Sequence, residues 1–180
     1  TPLQMRIIAG SRKGARIFAP KGETRPTGDR VREAAFNLIG PVDDVAVLDL
    51  FAGSGAMGLE ALSRGASSVV FVESDRDAQR TIERNLEKLG LKGARIVKSD
   101  ARRALAAEAA AGRRYDLVLV DPPYRMLDSL LPTLSTYLPS LLAEDGIVVV
   151  ESPAREQPEL PLTERTSRKY GSVRLTVFEP

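Results

Sequence analysis

Val45-Ala46-Val47-Leu48-Asp49-Leu50, running straight into Phe51-Ala52-Gly53-Ser54-Gly55-Ala56-Met57-Gly58, is the stretch that decides the fold. The first six residues read as a strand, the glycines as a tight turn, and Ala56–Arg64 as the helix that the turn feeds. Downstream the same alternation recurs. Ser68–Glu73 is a strand, and Arg76 to about Leu89 a helix capped by Gly90. Ala94–Lys98 is a strand, and 101–110 an alanine-rich helix. Tyr115–Val120 is followed by a loop and a proline-interrupted helical stretch near 128–143, and Gly146–Glu151 is a fifth strand. Strands that are apolar throughout, alternating with helices, predict a parallel sheet covered on both faces. Arg165–Tyr170 and Val173–Glu179, joined around Gly171-Ser172, predict a terminal antiparallel hairpin, which makes seven strands.

Upstream, Arg6–Ala9 and Ala15–Phe18 are short strand candidates separated by the turn-rich Gly10–Gly14. After a loop at Thr24–Gly28, Asp29 reads as a helix N-cap. Val31, Ala34, Ala35 and Leu38 then keep helical spacing up to Gly40-Pro41. The expectation is an N-terminal hairpin-and-helix extension over 1–40 and an α/β domain over 41–180. The extension carries eight Lys/Arg (Arg6, Arg12, Lys13, Arg16, Lys21, Arg25, Arg30, Arg32) against Glu23, Asp29 and Glu33, while the whole chain nets only +2. A basic end on a near-neutral body suggests a polyanionic partner.

The chain has no cysteine and no histidine. Disulfides, thiolate metal sites, cysteine nucleophiles and the usual neutral-pH base are therefore excluded, and no metal is expected. No apolar run approaches the roughly 18 residues of a membrane helix, and no signal-peptide pattern opens the chain, so the expectation is a cytoplasmic monomer.

Gly53, Gly55 and Gly58 satisfy G-x-G-x-x-G, and Glu73 follows Gly53 by 20 residues at a strand end, where a ribose-binding carboxylate belongs. A nicotinamide dinucleotide is one reading. Asp49, at the carboxyl end of its strand, argues against it, because a carboxylate there repels a pyrophosphate. An acid-lined crevice suits S-adenosylmethionine, which is cationic and carries no phosphate. Asp49 then suits its methionine ammonium, Glu73 the ribose and Asp100-Ala101 the adenine amine, and Phe51, Ala52, Gly53, Ser54, Gly55 and Ser74 complete the candidate cofactor site. The layout is that of a Rossmann-like S-adenosylmethionine-dependent methyltransferase.

Asp121-Pro122-Pro123-Tyr124 follows the fourth strand of the alternating series. An exocyclic base amine is a poor nucleophile because its lone pair is delocalised into the ring. Two acceptors on its N–H groups, the Asp121 carboxylate and the Pro122 carbonyl, localise that pair and aim it. The two prolines fix φ and so preset the carbonyl direction. Tyr124 offers a flat face to a base taken out of its helix. Methylation at pyrimidine carbon 5 would need a cysteine, which this chain lacks.

These residues resemble the RsmD family of small-subunit ribosomal RNA guanine-N2 methyltransferases. The resemblance runs over nearly the whole length. It is carried by Arg6-Ile7-Ile8-Ala9-Gly10, by Arg25-Pro26-Thr27 with Asp29-Arg30-Val31-Arg32-Glu33, by the two core motifs, and by Lys169-Tyr170-Gly171. It implies methylation of one guanine N2 amine in ribosomal RNA, in an assembling small subunit. It also implies that Arg25, Thr27, Arg30 and Arg32 form the active-site wall and contact phosphates, and that Arg6, Arg12, Lys13 and Arg16 help place the RNA. The turn 9–14 has no aromatic residue, so phosphate contact is expected there rather than base stacking. The competing readings are a DNA adenine-N6 methyltransferase, for whose target-recognition segment 180 residues leave no room, a protein or small-molecule methyltransferase, and a non-enzymatic RNA-binding module. The last would make Asp49, Glu73 and Asp121 liabilities beside a phosphate backbone.

Overall fold

The computed structural model describes residues 5–21 and 28–180. In chain order the elements are β1 (Met5–Arg6), β2 (Arg16–Ile17), α1 (Asp29–Ile39), β3 (Ala46–Leu50), α2 (Ala56–Ser63), β4 (Ser68–Val72), α3 (Arg76–Leu89), β5 (Ala94–Val97), α4 (Ala101–Ala110), β6 (Tyr115–Val120), α5 (Leu127–Leu141), β7 (Leu142–Pro153), β8 (Thr163–Tyr170) and β9 (Val173–Glu179). The main sheet has the order β5-β4-β3-β6-β7-β9-β8. Its first five strands are parallel, and β9 pairs antiparallel with both β7 and β8. This is the Rossmann-like sheet of the S-adenosylmethionine-dependent methyltransferases.

The parallel strands are largely apolar because alternate residues face different helical layers. Val47, Val69, Phe71, Leu117, Leu119 and Val149 pack in a core with residues of α1, α2 and α3. Leu48, Val70, Val72, Val118, Val120 and Val148 pack in a second core with α4 and α5. Met5, Ile7, Ile17, Ala35 and Phe36 from the first forty residues belong to the first of these cores.

Several local expectations are corrected. The N-terminal ladder is shorter than 6–9 and 15–18, because the Ile8 and Ala9 N–H groups donate to Glu60 of α2 (2.9 and 3.1 Å) and not to a strand. The N-cap of α1 is Gly28. Asp29 is its first residue, and its carboxylate bonds Arg32 (2.6 Å) and the Arg6 N–H (3.3 Å). Helix α5 runs unbroken through Pro132 and Pro139. Both prolines are exposed, so carbonyls left without a donor there can be hydrated, while Leu127, Leu130, Leu134, Leu138 and Leu141 bury the opposite stripe. Strand β7 starts four residues earlier than expected, across an irregularity in its pairing with β6. No helix among the described residues is long and apolar enough to cross a membrane.

Candidate active site

Strand order reverses between β3 and β6. At the carboxyl ends of these strands, where open α/β sheets hold their ligands, lies a cleft of about 720 Å³. Nine of the ten expected cofactor residues line it. Asp49, Phe51, Ala52, Gly53 and Ser54 come from the end of β3 and the loop after it, Glu73 and Ser74 follow β4, and Asp100 and Ala101 follow β5. Gly55 does not line the cleft. It precedes α2 in the left-handed region (φ +83°), where a Cβ would press on Ile82 and Phe71 at 3.3 Å. Gly58 is a packing glycine too, since a Cβ there would stand 2.4 Å from the Phe71 ring. Phe51 takes φ +60°, a conformation that costs an aromatic residue about 1–3 kcal/mol and is concentrated at functional sites.

The loop amides decide between the two cofactors. Gly53 N–H donates to Glu73 Oε1 (2.8 Å), Gly55 N–H to the Ala52 carbonyl (2.8 Å), and Gly58 N–H to Asp49 Oδ2 (3.1 Å). All three motif glycines thus spend their amides on the chain's own acceptors, two of them carboxyl groups. With these amides spent, and with Glu73 and Asp121 as the charged acids of the cleft, the site disfavours a pyrophosphate and accepts a cation. Glu73 is locked further by the Asp75 N–H (2.9 Å), and Asp100 caps α4 by accepting from Arg103 N–H (2.9 Å).

Asp49 is 3% exposed. Burial pushes its carboxyl up from 3.8 to about 8; the Gly58 hydrogen bond opposes this, and the charges of Asp121 and Glu73 reinforce it. Between about pH 4 and pH 8 the folded chain therefore holds a proton that the unfolded chain has released. Its stability from this group falls as pH rises through that window and levels off above it. Thermal unfolding of the ligand-free protein at pH 6, 7 and 8 should show this decline, and Asp49→Asn should flatten it. A decline of the same slope in the variant would clear Asp49 as its source.

Asp121, Pro122 and Tyr124 all line the same cleft. Leu50 pairs with Val120, so the glycine loop and the Asp-Pro-Pro-Tyr loop leave the sheet side by side. Pro122 is buried, while Asp121 and Tyr124 are half-buried. Tyr124 opens a single 3₁₀ turn in which Met126 N–H donates to the Pro123 carbonyl (2.9 Å). The arrangement places a carboxylate, a proline-stiffened carbonyl and an aromatic ring beside an acid-lined cofactor cleft.

The basic residues are distributed differently from expectation. None of Arg6, Arg12, Lys13, Arg16, Arg30 and Arg32 lines the cleft, and Arg25 and Thr27 lie outside the described residues. Arg6, Lys13, Arg16 and Arg30 are exposed. Arg12 caps the end of α3 through the Leu89 and Gly90 carbonyls. Arg32 cannot be a phosphate contact: its side chain is fully buried, bonded to Glu60 (3.3 Å), Asp29 (2.6 Å) and the Arg6 carbonyl. What α1 brings to the cleft is Val31 and Ala35, with Gly28 before them, a helical stripe legible in the sequence only as a core face. Glu151 of β7, Val173 and Leu175 of β9, and Arg102 and Arg125 also line it without having been expected. Of these, Arg125 follows Tyr124 and Arg102 follows Ala101, so both stood beside residues already singled out.

The family described as conserved hypothetical protein 95 matches residues 5–179. The Escherichia coli (strain K12) ribosomal RNA small subunit methyltransferase D is 41% identical over 153 residues, which are 83% of this chain and 75% of that protein. The solved structure of a hypothetical protein from Thermus thermophilus superposes with a TM-score of 0.85 at 36% identity, over 98% of this chain and 99% of that one. More distantly, a methyltransferase structure complexed with SAH shares the fold at 15% identity, with a TM-score of 0.71 over 84% of this chain and 48% of that one. On the match along nearly its whole length and the identity to methyltransferase D, the chain belongs to the RsmD family.

Proposed function

We propose that this chain methylates the exocyclic N2 amine of a guanine in small-subunit ribosomal RNA, using S-adenosylmethionine. The observation that carries the reading is the juxtaposition of the Asp121–Tyr124 loop with the acid-lined crevice at the strand-order switch. S-adenosylmethionine is the cofactor this fold serves, and when bound it supplies an already activated methyl group. Asp49 and the 51–54 segment would hold its cationic end, Glu73 and Ser74 its ribose, and Asp100 and Ala101 its adenine.

The chain's own task is then to bind and orient. The Asp121 carboxylate and the Pro122 carbonyl accept the two amine hydrogens, so the nitrogen lone pair stands out of the ring plane. Tyr124 supports the base face. Positioning of this kind is worth on the order of 7–11 kcal/mol of barrier. Ribosomal RNA as substrate is supported by family membership, and the small subunit by the name of the Escherichia coli relative. The guanine N2 atom is supported by the motif resemblance across residues 25–33.

The test offers labelled S-adenosylmethionine with small subunits, naked ribosomal RNA or DNA, followed by nucleoside analysis. Label should appear in N2-methylguanosine from the ribosomal substrates. Methyladenine from DNA would overturn the reading.

A further inference from the structure

Helix α3 carries Arg76, Arg80, Arg84 and Lys88 at four-residue intervals, so they form one row on its surface. All four are exposed. At 1.5 Å per residue the row is about 18 Å long. Among the described residues, none of the four makes an ion pair with a carboxylate. The neighbouring acids on α3 are Asp77, Glu83 and Glu87. The Asp77 carboxylate is occupied by the Lys21 N–H (2.6 Å), Glu83 pairs with Lys98 (3.1 Å), and Glu87 flanks the row.

The row runs beside the N-terminal hairpin and is held by it. The Phe18 ring, a large apolar group left 37% exposed, has the Arg84 guanidinium 4.1 Å and the Lys88 ammonium 5.0 Å from its centroid. Lys88 Nζ also donates to the Arg16 carbonyl (2.6 Å). Beneath them Asn85, fully buried, accepts from Phe18 N–H (2.8 Å) and donates to the carbonyls of Phe18 and Ser54 (both 3.0 Å). Hairpin, helix and glycine loop are thus tied together, and the row starts one residue beyond Asp75, which lines the cleft.

Like charges at i, i+4 spacing repel one another and weaken an isolated helix. The Phe18 face attracts and orients two of these cations, and a polyanion lying along the row relieves their mutual repulsion while releasing counterions. We infer that the Arg76–Arg80–Arg84–Lys88 row, with Phe18 as its platform, seats the phosphate backbone of the RNA flanking the target nucleotide. This rests on the ribosomal RNA reading above. The row is built for phosphates and not for base edges, so it contributes affinity and register, and no sequence preference.

The experiment compares wild type with Arg80→Gln/Arg84→Gln/Lys88→Gln by filter binding to a small-subunit ribosomal RNA transcript from 50 to 300 mM KCl, alongside methylation kinetics on small subunits. The salt slope should fall by about two to three, since each lost phosphate contact removes about 0.7–0.9. KM for RNA should rise tenfold or more, with kcat at saturating RNA within about twofold. S-adenosylhomocysteine affinity by calorimetry should be unchanged. If the triple variant loses that affinity, the single variants Arg80→Gln and Arg84→Gln carry the test, each expected to reduce the slope by about one. An unchanged slope and KM with methylation intact overturns the RNA seat alone. A raised KM on subunits with an unchanged slope on the naked transcript also overturns it, in favour of a contact with ribosomal protein. A wild-type enzyme that neither binds nor methylates ribosomal RNA overturns the functional reading, and this inference with it.

Discussion

Asp121→Ala should bind S-adenosylmethionine within about twofold of wild type and lose on the order of 10²–10³ in kcat, the usual cost of deleting one preorganised polar group at the reacting centre. The glycine loop, Glu73 and Asp100 belong to other strand ends, so removing a side chain after β6 leaves the cofactor walls standing. What goes, on the proposed mechanism, is one of the two acceptors that localise the amine lone pair. Thermal stability should not drop with activity. Asp121 is among the charges that raise the Asp49 carboxyl, so its removal relieves repulsion in the cleft. The midpoint at pH 8 should be equal or slightly higher. Pro122→Ala keeps the backbone carbonyl and loses only its restraint, so its kcat loss should be smaller than that of Asp121→Ala. Isothermal titration, single-turnover transfer and thermal melts separate these effects. Unchanged turnover in Asp121→Ala would remove the residue from the reaction, and a lost cofactor affinity would reassign it to binding.

Glu60→Ala should cost the fold about 3–5 kcal/mol, the range for breaking a buried ion pair from one side. Glu60 is fully buried and serves four donors: Ile8 N–H, Ala9 N–H, Arg32 Nε and Arg64 Nε. Its loss leaves the buried Arg32 guanidinium with only Asp29 and the Arg6 carbonyl as partners, and two backbone N–H groups without their acceptor. Against the roughly 5–15 kcal/mol that stabilises a typical domain, the variant should be marginal at about 37 °C. The double variant Arg32→Met/Glu60→Leu removes the buried charge along with its lost partner and should recover part of the loss. It should not recover all of it, because the amides of Ile8 and Ala9 still lack a partner. Denaturant titration measures both variants. A loss below about 1 kcal/mol in Glu60→Ala would mean that water replaces the carboxylate and that this junction between β1, α1 and α2 is not a structural centre.

Much of this molecule could be read along the chain. The period of the apolar residues located the seven main strands and the helices among them, with errors at element ends and at the two prolines of α5, where an interruption was expected. Those errors have definite causes. A side chain from another element took the amides of Ile8 and Ala9, and both prolines of α5 fell on its solvent face. Asp49, Glu73, Asp100 and Asp121 reach one cleft because each sits at or just past the carboxyl end of a parallel strand, a placement that strand prediction alone supplies. The basic N-terminus was visible as composition, but composition does not say which charges meet solvent. Arg32 and Arg30 are two residues apart on α1, and one is buried in an ion pair while the other is exposed.

By itself, then, the sequence determined the element series, the strand-end acids, the Asp-Pro-Pro-Tyr loop and the family, because these depend on local periodicity and short motifs. Only the tertiary structure decided that the loop amides are already spent on Asp49 and Glu73. Only it showed that α1 supplies cleft wall with Val31 and Ala35, and that α3 and Phe18 gather a cationic row. The physical reason is common to all three. Each depends on which groups from distant segments reach hydrogen-bonding or packing distance, and the 67 positions that separate Phe18 from Asn85 carry no local trace of that contact.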